Sequence, residues 1–523
     1  MLPSAVAAMG ALAKLAQDFK NEGDHLQKQI ASSRSRDIVF AIVAHAGSGA
    51  SWVARTLEDE LAAKGYQPIH VSLSAEIDAM AERLGMKVSW SDKLDRAFKL
   101  QDAGDELRRL FGFSIVAALA VRKIHLDRPH GAGPKPLAFV IDQLKHPEEV
   151  RALREVYGSA FYVVSVLCEY DERLRRLERK FKGVPDQDRT RKLMDRDEHE
   201  AAENGQHVRK TLHLADFFVA NQSQDKKALS DDLSRFVEIV AGHEVTRPTR
   251  QERGMHAAWS AALRSSCLSR QVGAAILDAA GHVLAHGTNE VPKFRGGSYE
   301  SGDSPDHRCF ADRGKREKAY CRNEFFKREI YREVFDSLRD AKLLASHANP
   351  ETVQKAAEKT RIRDLIEFSR AVHAEMDALL SLSRIGGLSS TECSMFCTTF
   401  PCHSCAKHIV AAGITEVVYI EPYQKSLAEE LHGDAVEVSA LSARVKTEVT
   451  KVAFHLFSGV APRRFASVFE AQSDLKDKDG NLSSSVATVA QREALFKKSH
   501  LELEDEIVQL IDNLKRSEAG DVA

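Results

Sequence analysis

The sequence predicts an α/β protein with two domains, the first of them built on a parallel sheet. Three observations support this prediction. Apolar runs typical of buried strands alternate with helical segments through residues 37–240. A Gly-rich turn follows the first of these runs. Farther along, a His-x-Glu tripeptide and a Pro-Cys-x-x-Cys segment lie on the two sides of a strand-like run.

The composition is typical of a globular protein and argues against several classes of function. The chain has 523 residues, of which 43% are hydrophobic and 29% charged, and its formal net charge is −2. A protein that binds nucleic acid nonspecifically is usually more basic, so a long polynucleotide substrate is disfavoured. No apolar stretch reaches the length of a transmembrane helix, and eight cysteines in this length do not suggest a disulfide framework. We therefore expect a cytoplasmic protein without membrane contact.

The domain boundaries follow from shifts in composition. Residues 1–36 are expected to form a helical arm. A signal peptide is not expected, because no basic segment precedes their apolar start. The first domain is expected over residues 37–240 and the second over residues 250–470, with a joint near Pro248. Residues 471–523 are expected to hold a polar, flexible segment and then a helix with Leu and Ile at helical spacing.

The first domain opens with an apolar strand at 37–43, followed by Ala-His-Ala-Gly-Ser-Gly-Ala-Ser at 44–51. Strand, Gly-rich turn and helix form the setting of a P-loop, whose backbone amides hold phosphate. The match is degenerate, because Ala44 replaces the first glycine and Ala50 replaces the lysine. We expect a nucleotide with Mg²⁺ here, and a purely structural turn is the alternative. The candidate nucleotide-binding residues are Gly47, Ser48, Gly49, Ser51 and, after a later apolar strand, Asp142.

Arginines are concentrated after the apolar strand at 161–167. This order of strands and arginines resembles nucleoside monophosphate kinases, in which lid arginines hold phosphates. For any single arginine, a solvated charged helix is the alternative. Without the lysine, phosphoryl transfer loses a main electrostatic support. The domain is therefore predicted to bind a phosphorylated ligand weakly and not to act as a kinase.

The second domain carries a candidate zinc site. His373, Cys402 and Cys405 supply one nitrogen and two sulfur ligands, a set that suits tetrahedral zinc and leaves a fourth position for water. Zinc makes such a water a nucleophile near neutral pH, and the carboxylate of Glu375 can move protons. Pro401 is expected to be the first residue of a helix whose first turn presents both cysteines. A surface histidine and a structural cysteine pair are the alternative.

The pairing of H-x-E with P-C-x-x-C is the signature of zinc deaminases. Together with Arg270–Ala274, the Gly287–Asn289 turn and the run at 401–419, it resembles the deoxycytidylate (dCMP/dCTP) deaminase family over about residues 256–422. The whole chain is similar to the bacterial anti-phage two-domain type, which has an N-terminal P-loop nucleotide-kinase-like domain. The resemblance implies a C-terminal cytidine-deaminase-like α/β/α fold that binds Zn²⁺.

The resemblance also implies a set of substrate contacts. Asn289 would meet the nucleotide sugar, although asparagine is common in turns for backbone reasons alone. Ala374 would contact the substrate within the His-Ala-Glu tripeptide, and Lys293 and Arg295 would meet a substrate phosphate. A second, structural metal near His307, Cys309 and Cys321 is left open, since no fourth ligand is evident. Cys393 and Cys397 are expected in the core, because buried cysteine behaves as a small hydrophobe.

The predicted function is hydrolytic deamination of dCTP or dCMP to dUTP or dUMP and ammonia, with Glu375 as the catalytic residue. In the anti-phage group this reaction depletes dCTP. Three alternatives stay open: a housekeeping dCMP deaminase for dTMP synthesis, a polynucleotide cytidine deaminase, and a nucleotide sensor in which the deaminase fold only binds. Glu375 argues against a sensor, because a purely structural zinc needs no neighbouring carboxylate. We expect free deoxycytidine nucleotides as partners and a homo-oligomer; a regulatory RNA or protein inhibitor stays open.

Overall fold

The computed structural model describes residues 34–86, 90–129, 135–181, 187–198, 202–222, 226–242, 245–314, 316–423, 426–438, 450–470, 476, 479–481, 488–492 and 497–513. Most of the predicted N-terminal arm and most of the predicted polar segment after residue 470 lie outside these residues. Two compact units divide the chain. The first lies within Met1–Asn221, Lys226–Thr246 and Val468–Ala523, and the second within Gln222–Asp225 and Arg247–Ser467.

The first unit is built on parallel strands. Its five strands lie in the order β2-β3-β1-β4-β5, and every neighbouring pair is parallel. Every residue of β1 and of β4 is buried, which explains why both are continuous apolar runs in the sequence. The strands are β1 (Ile38–Ala44), β2 (Gln67–Val71), β3 (Leu137–Leu144), β4 (Phe161–Leu167) and β5 (Phe217–Ala220).

Helices connect the parallel strands of the first unit, as crossovers between parallel strands require. The first of them begins at Ala50, directly after the Gly-rich turn, and buries Val53, Leu57 and Leu61. The helices are α1 (Ala50–Ala63), α2 (Leu73–Arg83), α3 (Lys93–Phe111), α4 (Ile115–Asp127), α5 (Pro147–Tyr157), α6 (Tyr170–Lys180), α7 (Gln187–Glu198), α8 (Val208–Leu212) and α9 (Lys226–Ala241).

The second unit has a mixed sheet in the order β10-β11-β9-β8-β6-β7. The hairpin of β6 (Gly273–Leu277) and β7 (Val283–Thr288) is antiparallel, and β6 also pairs antiparallel with β8 (Ser394–Thr399). From β8 onward the pairs are parallel. The remaining strands are β9 (Glu416–Glu421), β10 (Val436–Val438), β11 (Val452–Leu456) and the two-residue β12 (Gly459–Val460).

Helices pack on the strands of this mixed sheet. The first helix of the unit packs on β6 and β8, and the helix that begins at Ala374 packs on β7. The helices are α10 (Arg250–Ala262), α11 (Arg322–Asp340), α12 (Pro350–Ala357), α13 (Ala374–Ile385), α14 (His403–Ala411), α15 (Ala428–His432) and, at the boundary between the units in sequence, α16 (Phe465–Phe469).

The C-terminal helix belongs with the first unit. After the short α17 (Val489–Arg492), α18 (Lys497–Asn513) packs against α4 and α5. Its buried Glu504 accepts a hydrogen bond from Arg128 at 2.9 Å, and Ile511 is also buried. The helix expected within residues 471–523 is thus present at Lys497–Asn513 in the described part of the chain. No helix among the described residues is both long and apolar enough to cross a membrane.

The predicted α/β classes of both domains are confirmed. The parallel sheet with a Gly-rich turn after β1 is present, and so is the hairpin that opens the second sheet. The strands predicted at 37–43 and 161–167 lie within one residue of the observed β1 and β4. Polar loop and then α11 and α12 fill the long connection between β7 and the His-Ala-Glu tripeptide.

Candidate metal centre

Two helix N-termini bring the predicted zinc ligands together. His373 is the N-cap of α13, and Cys402 is the N-cap of α14, where its sulfur accepts a hydrogen bond from the Cys405 amide at 3.4 Å. The prediction that Pro401 opens the helix is wrong, because the helix begins at His403. The cysteine sulfur takes the capping role that serine or aspartate usually plays. Cys402 and Cys405 still face the same point, one from the cap and one from the first turn.

The ligand atoms form a compact cluster that fits zinc. The Nδ1 atom of His373 lies 3.3 Å from the sulfur of Cys405 and 3.4 Å from that of Cys402. All three ligand atoms lie within 4.8 Å of one another. Nitrogen and sulfur ligands at ~2.0 Å and ~2.3 Å from a tetrahedral centre are ~3.5 Å apart. The spacing and the donor set therefore match a His-Cys-Cys zinc site, and this is the only such group among the described residues.

Hydrogen bonds within the cluster already favour one thiolate. The Cys405 thiol donates to Cys402, and the His373 ring also donates, so the pKa of Cys402 falls to about 4. The same contacts raise the pKa of Cys405 and, with Cys402 as the acceptor, raise that of His373 to about 9. A metal that binds here must displace the protons of Cys405 and His373, so binding becomes weaker as the pH falls.

Glu375 lies in the first turn of α13, two residues after the histidine ligand. Its side chain is only 4% exposed. Burial raises the pKa of Glu375, and the neighbouring His373 opposes that rise. A buried carboxyl group with a raised pKa, beside a metal site, is suited to take up and release a proton near neutral pH.

Close packing fixes α13 against β7. A Cβ atom added at Gly287 would lie 2.2 Å from the Ala374 carbonyl oxygen and 2.2 Å from the Ala378 nitrogen, so only glycine fits at this approach. The carboxylate of Asp377 accepts a hydrogen bond from the amide of Thr288 at 3.0 Å. These contacts hold the helix that carries His373 and Glu375 at a fixed height above the strand.

A second segment supports the turn that carries the cysteines. The Ser426 hydroxyl donates to the carbonyl oxygen of Pro401 at 2.9 Å. The Nε2 atom of His432 lies 3.2 Å from the carbonyl oxygen of His403. Sequence reasoning misses Ser426 and His432. Nothing in the sequence marks them, because they reach the site only through the fold of residues 426–432 around α14.

Comparison with known proteins identifies this region. The family described as "Cytidine and deoxycytidylate deaminase zinc-binding region" matches residues 248–421. Residues 248–421 therefore resemble the zinc-binding region of cytidine and deoxycytidylate deaminases. The match covers both ligand segments, Glu375 and the hairpin, so the deaminase region coincides with most of the second unit.

Individual relatives share only parts of their length with this chain. ComE operon protein 2 of Bacillus subtilis is 38% identical over 68 residues, 13% of this chain and 35% of the relative. The deoxycytidylate deaminase of Enterobacteria phage T2 is 42% identical over 55 residues, 10% of this chain and 29% of the relative. The chain thus spans about a third of the length of these relatives. A dCMP deaminase from the cyanophage S-TIM5 aligns over 40% of this chain and all of its own, with 18% identity and a TM-score of 0.21.

The predicted substrate contacts of the deaminase region lie after β7 and at the start of α13. The side chain of Asn289 donates to the Arg270 carbonyl oxygen at 2.9 Å and accepts from the Val272 amide at 2.7 Å, so it joins the end of β7 to the segment before β6. Lys293 pairs with Asp303 at 3.2 Å. These two side chains therefore have structural partners in addition to any contact with substrate.

The other two predicted substrate contacts differ in exposure. Arg295 has a positive φ of 73° and lies over the ring of the exposed Phe294. Ala374 is fully buried as the first residue of α13, so only its backbone amide could reach a ligand.

The remaining cysteines do not join the metal cluster. Cys393 and Cys397 are buried around β8, and burial raises the pKa of each thiol. His307, Cys309 and Cys321 are not part of any three-ligand group among the described residues. Among the described residues, the candidate metal ligands therefore form a single cluster.

The candidate nucleotide-binding residues of the first unit fall into two groups. Gly47 and Gly49 have positive φ values of 85° and 89° in the turn after β1, and Ser51 lies in the first turn of α1. Ser48 is fully buried within the turn. Asp142 instead accepts hydrogen bonds from the Leu73 amide at 3.0 Å and from Ser72, and so stabilises the N-terminus of α2.

Proposed function

We propose that residues 247–467 catalyse the hydrolytic deamination of a free deoxycytidine nucleotide. One observation carries this proposal: three ligand atoms of a zinc site and the buried carboxyl group of Glu375 meet at the N-termini of α13 and α14. The donor set suits zinc, and zinc when bound makes a water nucleophilic near neutral pH. The match of residues 248–421 to the deaminase zinc-binding region supports the same chemistry.

Glu375 would perform the proton transfers. Its carboxylate takes a proton from the attacking water and delivers it to N3 of cytosine, while the water oxygen bonds to C4. The second proton of the water then passes through the carboxylate to the amino group, the C4–N bond breaks, and ammonia leaves from a uracil product with its oxygen at C4. A raised pKa helps both halves of this cycle, since the same group must accept a proton and then give it up. Its burial keeps the proton away from bulk water.

The proposed substrate is a free nucleotide, dCMP or dCTP. The formal net charge of −2 gives little support to binding a long polyanion. The name of the phage T2 relative, deoxycytidylate deaminase, points to the same substrate class. Residues that follow β7, among them Asn289, Lys293 and Arg295, are proposed to contact the sugar and phosphate. We propose further that the reaction depletes dCTP during phage infection. This proposal rests on the similarity of the whole chain to the anti-phage two-domain deaminases. We also propose a homo-oligomer, which light scattering would test.

The decisive experiment incubates the purified full chain with dCMP, dCTP, CMP, CTP, deoxycytidine and a single-stranded oligodeoxynucleotide. Chromatography would measure the uracil products. We expect turnover of a deoxycytidine nucleotide and little turnover of the nucleoside or the oligonucleotide. Equal rates on deoxycytidine and its phosphates would contradict a phosphate contact. Turnover of the oligonucleotide alone would favour a polynucleotide deaminase, and zinc binding without any turnover would favour a sensor.

A further inference from the structure

The Gly-rich turn of the first unit holds a carboxylate from its own chain. Asp197, near the end of α7, is 1% exposed. One of its oxygens accepts a hydrogen bond from the Ala46 amide at 2.8 Å. The other accepts from the Nζ atom of Lys145 at 2.5 Å, and the same Nζ donates to the Ala44 carbonyl oxygen at 3.0 Å. An anion and a cation thus lie against the turn, although 151 residues separate Ala46 from Asp197.

The turn offers more donors than this carboxylate uses. Among the described residues, the backbone N–H groups of Gly47, Gly49, Ala50 and Ser51 have no hydrogen-bond acceptor. Successive amides at a helix N-terminus favour an anion with several oxygens, and a carboxylate has only two. The amides of Ala46 and Ser48 are therefore occupied, by Asp197 and by the His45 carbonyl oxygen, and the other four are not.

Two buried side chains at the same place have polar atoms without a hydrogen-bond partner in the described part of the chain. They are the Oγ atom of Ser48 and the Nε and Nη1 atoms of Arg173. Arg173 is 3% exposed and its backbone lies against Gly47, while its Nη2 atom lies 3.6 Å from a carboxylate oxygen of Glu198. A buried guanidinium with unused donors is costly unless an anion satisfies it. Together with the free amides, it indicates a missing ligand.

The charges around the turn are consistent with an anion site. Burial alone would raise the pKa of Asp197, but Lys145 and His45 hold it well below its usual range, so the carboxylate is ionised. Burial and the nearby Arg173 lower the pKa of His45, so the imidazole is neutral near pH 7. Three cations lie at the turn: Lys145, Arg173 and Arg176, whose Nη1 atom donates to the Ser48 carbonyl oxygen at 3.4 Å. Asp197 pairs with Lys145 and Glu198 with Arg173, so carboxylates neutralise part of this charge.

We infer that the Gly-rich turn is a phosphate site that the chain fills with the carboxylate of Asp197, and that Lys145 supplies the cation lost at Ala50. The external ligand is a phosphate or polyphosphate group. Its additional oxygens and charge let it take the contacts of Asp197 and also satisfy the free amides and Arg173. Because Asp197 must leave first, α7 has to move for the ligand to enter. The apparent affinity of the wild-type chain is lowered by the fraction of molecules that are closed.

Calorimetric titration of the full chain with inorganic pyrophosphate would test this inference. Asp197→Asn keeps the size of the side chain and removes the competing charge, so it should bind pyrophosphate about tenfold more tightly than wild type, or better. The control Asp195→Asn removes the same charge from an exposed position on α7 and should bind as wild type does. Adding Lys145→Met to Asp197→Asn should abolish the gain, whereas Lys192→Met, at an exposed position, should not.

Hydrogen exchange of the wild-type chain gives a second measurement that needs no variant. Saturating pyrophosphate should accelerate exchange in a peptide that covers residues 187–198, because α7 loses its contact with Ala46. The inference is overturned if Asp197→Asn binds pyrophosphate no more tightly than Asp195→Asn, or if Lys145→Met leaves the gain intact. It is also overturned if pyrophosphate leaves the exchange of α7 unchanged. None of these results depends on deamination, so the inference and the deaminase proposal stand or fall separately.

Discussion

Replacement of Glu375 by glutamine should abolish deamination and leave the metal site intact. The variant keeps the volume and the hydrogen-bonding capacity of a side chain that is 4% exposed, but it can no longer accept a proton. The substitution removes no candidate metal ligand, because His373, Cys402 and Cys405 supply all three. The change therefore isolates proton transfer from folding and from metal binding.

The expected loss follows from the role of the carboxyl group. General acid–base catalysis by one positioned group contributes about 10²- to 10⁴-fold, which corresponds to about 2.7–5.4 kcal/mol of transition-state stabilisation. In the proposed reaction Glu375 handles both the water proton and the proton delivered to N3, so we expect a loss in kcat near the upper end, about 10⁴-fold. Substrate KM should change little, because the carboxyl group acts in the transition state.

Stability should not decrease in this variant. Burial raises the pKa of Glu375, so its ionised form is unfavourable in the folded state. The protonated form contributes stability that is present at low pH and is lost as the pH rises through the raised pKa. The glutamine variant should thus melt no lower than wild type at neutral pH, and the two melting curves should converge below about pH 4.

The assay compares kcat, zinc content by elemental analysis and melting temperature for wild type and Glu375→Gln. Asp377→Asn is the matched control, because Asp377 is a buried carboxylate on the same helix that bonds to the Thr288 amide. The control should retain kcat within about tenfold, as the role of Asp377 is structural. Residual activity above about a tenth of wild type in Glu375→Gln, or loss of its zinc, would refute the assigned role.

Four further predictions follow. The value of kcat/KM should fall as the pH decreases through the raised pKa of Glu375, because the base must be ionised. The apparent pKa of this acid limb should lie above the ordinary glutamate pKa of about 4.3, and an apparent pKa at or below that value would contradict the prediction. Cys405→Ser should reduce bound zinc from one per chain to less than a tenth, measured by elemental analysis after dialysis against a chelator. Gly287→Ala should lower the free energy of unfolding by about 1–3 kcal/mol, since its Cβ would overlap α13. The control Gly104→Ala should not lower it, because a Cβ there meets only atoms beyond 3.6 Å. Equal melting temperatures of the two variants would show that α13 can shift freely. Asn289→Ala should cost about 1–3 kcal/mol in the same assay by leaving a backbone amide unpaired, and an additional rise in KM would support a sugar contact.

The sequence was most informative where chemistry depends on residue type. Zinc selects nitrogen and sulfur ligands, and the spacing within His-x-Glu and Cys-x-x-Cys places each pair within one turn of a helix. The identities of the ligands and of the neighbouring carboxylate can therefore be predicted without coordinates. The same holds for β1 and β4, because a strand buried on both faces has to be apolar throughout.

Long-range side-chain partners could not be predicted. Ser426 and His432 reach the cysteine turn across a loop and a short helix, and Asp142, a candidate for magnesium by its position after a strand, bonds to the N-terminus of α2. The C-terminal helix shows an apolar face in the sequence, but only its contacts with α4 and α5 decide what that face covers. A hydrophobic or polar pattern indicates that a side chain needs a packing or hydrogen-bond partner, but it does not identify that partner.

The α/β class of each domain, the three candidate metal ligands, Glu375 and the degenerate Gly-rich turn can all be read from the sequence alone. All of these depend on local spacing and on the chemistry of the side chains. The folded structure adds how each local element is completed, by Gly287 beneath α13 and by Asp197 and Lys145 at the turn after β1. The physical reason is that a hydrogen bond or a close approach between residues distant in the chain depends on the packing of the helices and strands that carry them, and no short-range pattern encodes that packing.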